Sequence, residues 1–130
     1  MTPSLRKPAE LVDVIESTNL TLHDRRIYNL LINNAFKDIT DDIEHSITKA
    51  ELAEVTQYRN DRLGECIENL MSSIARLRSV RDGKTVLTRV QLLGATAEDY
   101  DRNGKIYYRF PSELRSVLND NVAYARLKTE

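Results

Sequence analysis

Arg76-Leu77-Arg78-Ser79-Val80-Arg81-Asp82-Gly83, followed by the alternating run Val86-Thr88-Val90-Leu92, decides how this chain is read. Asp-Gly tolerates the positive φ of a tight hairpin turn, so the segment reads as strand, reversal, strand. A second alternating run, Ile106-Tyr108-Phe110, follows Asn103-Gly104, which reads as another reversal of the same kind. Upstream, Asn60 is a good N-cap, and Leu63, Ile67, Leu70, Ile74 and Leu77 follow it at helical spacing.

The rest of the chain is arranged around that stretch. Residues 1–7 read as a loose arm carrying two positive charges. Pro8 can open a short helix through about Glu16, but Val12, Val14 and Ile15 are β-branched and suit a strand as well. After the turn-like Ser17-Thr18-Asn19, Thr21 caps a strong helix with Asp24 at the capping-box position. Ile27, Tyr28, Leu30, Leu31, Ile32, Ala35 and Phe36 cover a wide arc, which predicts a central helix touched on several sides. Lys37 to Glu44 is an acidic connection, expected to be solvated; it lacks the glycine and bidentate glutamate of a calcium loop.

His45-Ser46-Ile47 suits a short strand, and Thr48 with Glu51 starts a brief second helix carrying Leu52 and Val55. Gln57-Tyr58-Arg59 turns the chain into the helix at Asn60, a connection read as longer than the tightest helix-turn-helix versions. Leu92 to Gly104 reads as a polar, mobile link. Pro111 precedes an amphipathic turn or two, Ser112 to Leu118; Asn119-Asp120-Asn121 stops it, and Val122, Tyr124 and Leu127 close the apolar pattern. A short capped helix, a longer helix and then a β-hairpin is the order of a winged helix-turn-helix. The expected fold is therefore α+β, one domain over residues 1–130, with a β-hairpin wing.

Composition bounds the function. With 130 residues, 41% apolar and 30% charged, the chain has the size and balance of one globular domain. No apolar run approaches the roughly 20 residues that span a bilayer, and no secretory signal opens the chain, so no membrane role and a cytoplasmic setting are expected. A single cysteine, Cys66, rules out an internal disulfide and fits a reducing compartment. The glycines at 64, 83, 94 and 104 are too scattered to cradle phosphates, and Cys66, His23 and His45 are too few for zinc. Cys66 lies beside the apolar stripe of its helix and reads as a buried small hydrophobe. Neither histidine has a nucleophile nearby in sequence. No catalysis, cofactor or metal is expected.

What remains is electrostatic. Between Arg76 and Arg109 stand Arg76, Arg78, Arg81, Lys84, Arg89, Arg102, Lys105 and Arg109 against Asp82, Glu98, Asp99 and Asp101, a local excess of +4 in a chain of net charge −1. A basic wing grips phosphates and positions a protein without reading sequence; a solvated hairpin with ordinary charges is the plain alternative. Arg59, Asn60 and Arg62 sit where a recognition helix enters the major groove, but Asp61, Glu65 and Glu68 repel phosphates, so that helix is expected mainly to pack. Gly64 lowers helix propensity by about 1 kcal/mol relative to Ala; it reads either as room for a close approach or as a neutral accident.

On Glu10-Leu11-Val12-Asp13, Leu20 to Leu31, Thr48 to Leu52, Leu63 to Met71, Tyr107 to Leu114 and Tyr124 to Leu127, the chain resembles the N-terminal domain of the iteron-binding plasmid replication initiators, over roughly residues 8–128. The resemblance implies the first of two tandem winged-helix domains, the second absent from this chain, which ends at Glu130 as an excised domain or a shortened relative. It implies phosphate and neighbouring base contacts at origin repeats, and a homodimer in the autorepressor form. The DNA-binding residues expected are Arg59, Asn60, Arg62, Arg78, Arg81, Lys84 and Arg89. Double-stranded DNA, a second copy of the chain and host replication proteins are the expected partners. The alternatives are a dimerisation module without DNA contact and a winged-helix transcriptional repressor.

Overall fold

The computed structural model describes residues 13–16, 20–57 and 60–118. The arm at 1–7, the Pro8 helix start, the 17–19 turn, Tyr58, Arg59, the 119–121 stop and the apolar residues of 122–127 lie outside them. In chain order the elements are β1 (Asp13–Glu16), α1 (Leu22–Ala35), a 3-10 turn (Phe36–Asp38), β2 (His45–Thr48), α2 (Lys49–Thr56), α3 (Asn60–Ser72), β3 (Ile74–Arg81), β4 (Lys84–Gln91), β5 (Thr96–Glu98), β6 (Lys105–Tyr108) and α4 (Ser112–Leu118). Of the two readings before Ser17, the β-branched one prevails at Asp13–Glu16.

Both capping boxes form. Thr21 accepts from the Asp24 N–H while the Asp24 carboxylate accepts from the Thr21 N–H, and Thr48 with Glu51 repeats the exchange at the start of α2. α1 is central as its wide arc requires: Ile27, Tyr28, Leu31, Ile32 and Ala35 are buried, and α2, α3 and β2 all pack on it. In α2 only Leu52 of the two expected residues enters the core. Val55 is 43% exposed, and Thr56 takes the inner position with its hydroxyl donating to Leu52 O.

α3 buries Leu63, Cys66, Ile67 and Leu70, then stops. The helical spacing that continued through Ile74 and Leu77 is coincidental, since both lie in β3. Ser72 Oγ donates to Glu68 O and Ser73 Oγ to Asn69 O, so two hydroxyls occupy carbonyls at the helix end. Beyond Ser73, burial alternates, with Ala75 and Leu77 inside and Arg76 and Arg78 outside.

The strands form two antiparallel three-stranded sheets, β1-β3-β4 and β2-β6-β5. The two alternating runs of the sequence therefore belong to different sheets: Val86–Val90 pairs with β3, whereas Ile106–Tyr108 pairs with β2 and β5. Leu92 and Leu93, both fully buried, carry the chain between the sheets. The stretch read as a polar link contains β5, and Gly94 N–H donates to Arg109 O at 2.8 Å.

The two expected reversals also differ. Asp82 (φ 50°) and Gly83 (φ 78°) both lie in the left-handed region and join Arg81 to Lys84 in a two-residue turn. Asn103 and Gly104 have no positive φ; the β5–β6 turn takes six residues, and its glycine is needed for space instead. A Cβ on Gly104 would stand 2.4 Å from the Cβ of Asp99, whose carboxylate is held by the Lys105 N–H. In the helix-turn-helix, three residues separate α2 from α3, and Gln57 at φ 61° ends α2 in the left-handed region. The connection is as short as that motif allows, contrary to the sequence reading.

His45 is buried beside Tyr108 and Phe110, with ring centroids 5.4 and 5.9 Å away, and its Nε2 has no hydrogen-bond partner among the described residues. Burial lowers its pKa from the ordinary 6.5, and Arg109 lowers it further against the opposing pull of Asp38 and Asp41.

Three stability outcomes follow. Gly104→Ala is expected to lower stability by about 1–3 kcal/mol, because the fixed Asp99 stem must move. Gly64→Ala, with nothing within 4 Å of the new Cβ, is expected to raise it by about 0.5–1 kcal/mol; urea midpoints measure both. Because His45 binds its proton more weakly folded than unfolded, stability is expected to be complete above pH 6.5 and to fall as pH drops below it. His45→Phe should flatten that part of the pH–stability curve, read from thermal midpoints.

Candidate nucleic-acid interface

The β3–β4 hairpin is a ribbon about 23 Å long, from seven steps of about 3.3 Å between the eight residues of each strand. Ala75, Leu77 and Val90 bury its base, while the residues from Val80 to Thr85 are all exposed, so its outer end stands clear of the core. Strand register sorts the side chains into two faces. The outward one carries Arg76 opposite Arg89, Arg78 opposite Leu87, and Val80 opposite Thr85. Arg81 and Lys84 face each other across the turn.

Like charges directly opposite each other destabilise a sheet, and this ribbon places two such pairs on adjoining strands. Among the described residues, no acidic side chain pairs with Arg76, Arg81, Lys84 or Arg89; Arg78 is engaged by a further contact. Of the expected DNA-binding residues, Arg78, Arg81, Lys84 and Arg89 are thus brought together on one element.

The remaining charges of the local excess are dispersed. Arg109 pairs with Asp42 at 3.2 Å, and Arg115 reaches the same carboxylate at 3.6 Å, so one residue of the acidic connection neutralises the C-terminal end of β6. Arg102 and Lys105 belong to the turn of the second sheet. The +4 is therefore not one patch, because the strands carrying it divide between two sheets.

Arg62, 62% exposed on its side chain, lies 4.0 Å from Glu65, a surface pair of little energetic weight. Ten residues, or about 15 Å of helix, separate it from the end of α3 where the ribbon begins. Asn60 is the first helical residue rather than a preceding cap, and Arg59 lies outside the described residues. Gly64 meets nothing within 4 Å, so no neighbour in the chain explains it.

Cys66 is buried, and burial together with a hydrogen bond to Asp24 pushes its thiol up to about 12. Asp24, 2% exposed, also accepts from Asn69 Nδ2, so the capping carboxylate ties α1 to α3. The described residues hold no cluster of three metal-ligating side chains, and none of their helices is long and apolar enough to cross a membrane.

Sequence reasoning missed Lys49. It is 3% exposed, donates to Asp99 O at 2.6 Å and Asp101 O at 3.0 Å, and pairs with Glu98 at 3.1 Å. Its signal was its position: a cation in the first turn of a helix opposes the helix dipole and needs another reason to be there.

The chain matches the family model described as initiator replication protein, WH1, over residues 4–129. Among solved structures it resembles the WH1 domain of MSBI1.176, a replication protein isolated from a multiple sclerosis patient, with 13% identity, 85% of each chain covered and a TM-score of 0.60. Comparison with curated protein sequences returned no match. The α+β architecture, with α2 and α3 followed by a β-ribbon, is the winged helix of that domain, and the chain belongs to the initiator replication protein WH1 family.

Proposed function

We propose that this domain serves plasmid replication initiation by gripping duplex DNA at origin repeats, mainly through phosphates, and that it also dimerises. The observation that carries the DNA reading is the ribbon with two cross-strand cation pairs, left without acidic partners among the described residues, in a chain of net charge −1. A polyanion lying along the ribbon converts that repulsion into attraction. Arg78 and Arg89, with Arg76, are the phosphate contacts on the outward face, and Arg81 and Lys84 are those at the tip, on the ribbon's other face. Arg59, Asn60 and Arg62 at the start of α3 supply the neighbouring base contacts. The work is binding rather than catalysis, in the cytoplasm, within the first of two tandem winged-helix domains. Host replication proteins are further partners.

A specific observation supports dimerisation. In the sheet order β1-β3-β4, β1 covers one edge of β3, and the eight-residue β4 forms the open side. Val80 and Leu87, 50% and 46% exposed, lie on the ribbon's outward face. Two copies pairing β4 to β4 about a two-fold axis cover both features. A dimerisation module without DNA contact and a winged-helix repressor rest on the same surfaces.

Arg81→Ala/Lys84→Ala/Arg89→Ala is expected to weaken duplex binding and to reduce the slope of log affinity against log salt by about three units. Fluorescence anisotropy across a salt series measures it. A parent chain that forms a stable dimer yet leaves duplex DNA unbound at low salt decides for the interaction module. Val80→Lys/Leu87→Lys is expected to yield monomers in sedimentation while the thermal midpoint stays near that of the parent.

A further inference from the structure

The turn between β5 and β6 is held more firmly than a link between two short strands requires. The Lys49 ammonium, almost wholly buried, spends its donors on the carbonyls of Asp99 and Asp101 and on the Glu98 carboxylate. Asp99 Oδ2 accepts from the Lys105 N–H and Asp101 Oδ1 from the Asn103 N–H, each at 2.9 Å. Gly104 O accepts from the Lys49 N–H at 3.0 Å, which fastens the turn to the first residue of α2.

This many-bonded turn presents Tyr100, fully exposed, together with exposed Arg102 and Asn103. Asp99 and Asp101 each accept one backbone N–H and Glu98 pairs with Lys49, whereas Arg102 has no partner among the described residues. Groups fixed in advance bind with less loss of conformational entropy, and a large exposed aromatic ring on a rigid support is the kind of group that anchors contacts. Between the turn and α2 lies a concavity of about 380 Å³ lined by Lys49, Ala50, Ala53, Arg102 and Asn103. Its helical wall is Ala50 and Ala53 beside Lys49, whose ammonium is held by the turn, so no long side chain of α2 reaches outward across it. α2 is the first helix of the helix-turn-helix, and in that motif the first helix crosses the DNA backbone while the second enters the major groove.

We propose that this concavity seats one sugar–phosphate strand of duplex DNA. Arg102 binds a phosphate, Asn103 bonds the neighbouring backbone oxygens, and Tyr100 lies against the sugar edge. The site rests on the duplex-binding reading above and adds to it a second grip, on a different sheet from the ribbon. Glu54, four residues along α2 from Ala50, and exposed Asp101, next to Arg102, are charges that oppose such a strand.

Anisotropy with a short labelled duplex of random sequence tests the site. Arg102→Ala is expected to weaken binding about tenfold near 50 mM salt and to flatten the salt slope by about one unit, the release of one counterion. Glu54→Gln is expected to tighten binding, and the loss in Arg102→Ala should add to that of the ribbon triple variant. Ala53→Glu, which fills the concavity with a carboxylate, should act like Arg102→Ala. Arg102 and Glu54 are exposed, so unchanged thermal midpoints are expected; if Ala53→Glu fails to fold, those two variants carry the test. Parent-like binding by Arg102→Ala and Glu54→Gln, with the ribbon variant weakened, overturns this site and leaves the ribbon reading standing. A parent that does not bind at low salt overturns both. Loss of self-association in Arg102→Ala with duplex binding intact also overturns the site, making the turn a protein contact.

Discussion

Two buried tyrosine hydroxyls hold the architecture to its central helix. Tyr28 donates to Leu92 O at 3.0 Å, joining α1 to the segment that leaves the first sheet. Tyr108 donates to Leu31 O at 2.7 Å and accepts from Asn34 Nδ2 at 2.9 Å, joining the second sheet to the same helix. A buried hydroxyl without a partner is costly, so each sheet has one position against α1 in which the tyrosine joining them, Tyr28 of the helix or Tyr108 of the second sheet, is satisfied. Tyr28, Tyr108 and Phe110 fill the space between with edge-to-face contacts at 5.6 and 6.1 Å. Burial pushes the Tyr108 hydroxyl to about 12, which keeps it a donor throughout the neutral range.

With both sheets located by one helix, the places where the chain gives up stability stand out. The ribbon opposes like charges across two strands. Lys49 is taken out of water to pin a turn, although burying a charge is favourable only when it is fully paired and bonded. Gly64 sits inside α3 where a Cβ would be free of clashes. None of these improves the core. They lie on the ribbon, on the β5–β6 turn and on α3, away from the packed interior.

Local chemistry was legible from residues alone wherever the interaction spans three or four positions. Thr21 with Asp24 and Thr48 with Glu51 form their boxes because cap and partner are fixed by helix geometry. Asp82-Gly83 makes its turn because both φ values are set within the dipeptide. The wide apolar arc of α1 foretold its central place, since burial on several sides needs neighbours on several sides. These readings, in order along the chain, were enough for the winged helix.

Tertiary structure alone decided which strand pairs with which, and hence where the charges gather. Val86–Val90 and Ile106–Tyr108 alternate in the same way, and alternation records burial of one face without recording the partner. Asn103-Gly104 looked like a second tight turn, but its glycine answers to Asp99, a neighbour brought there by the docked turn. Arg109 counted toward a basic wing until Asp42, sixty-seven residues away, was found beside it. Lys49 meets its acid and its carbonyls about fifty residues downstream. Sequence thus determined the capped helices and the Asp82-Gly83 turn, whose causes lie within a turn or two of backbone; contacts at long range determined β5, the sheet partners and the surface, because only packing brings distant residues together.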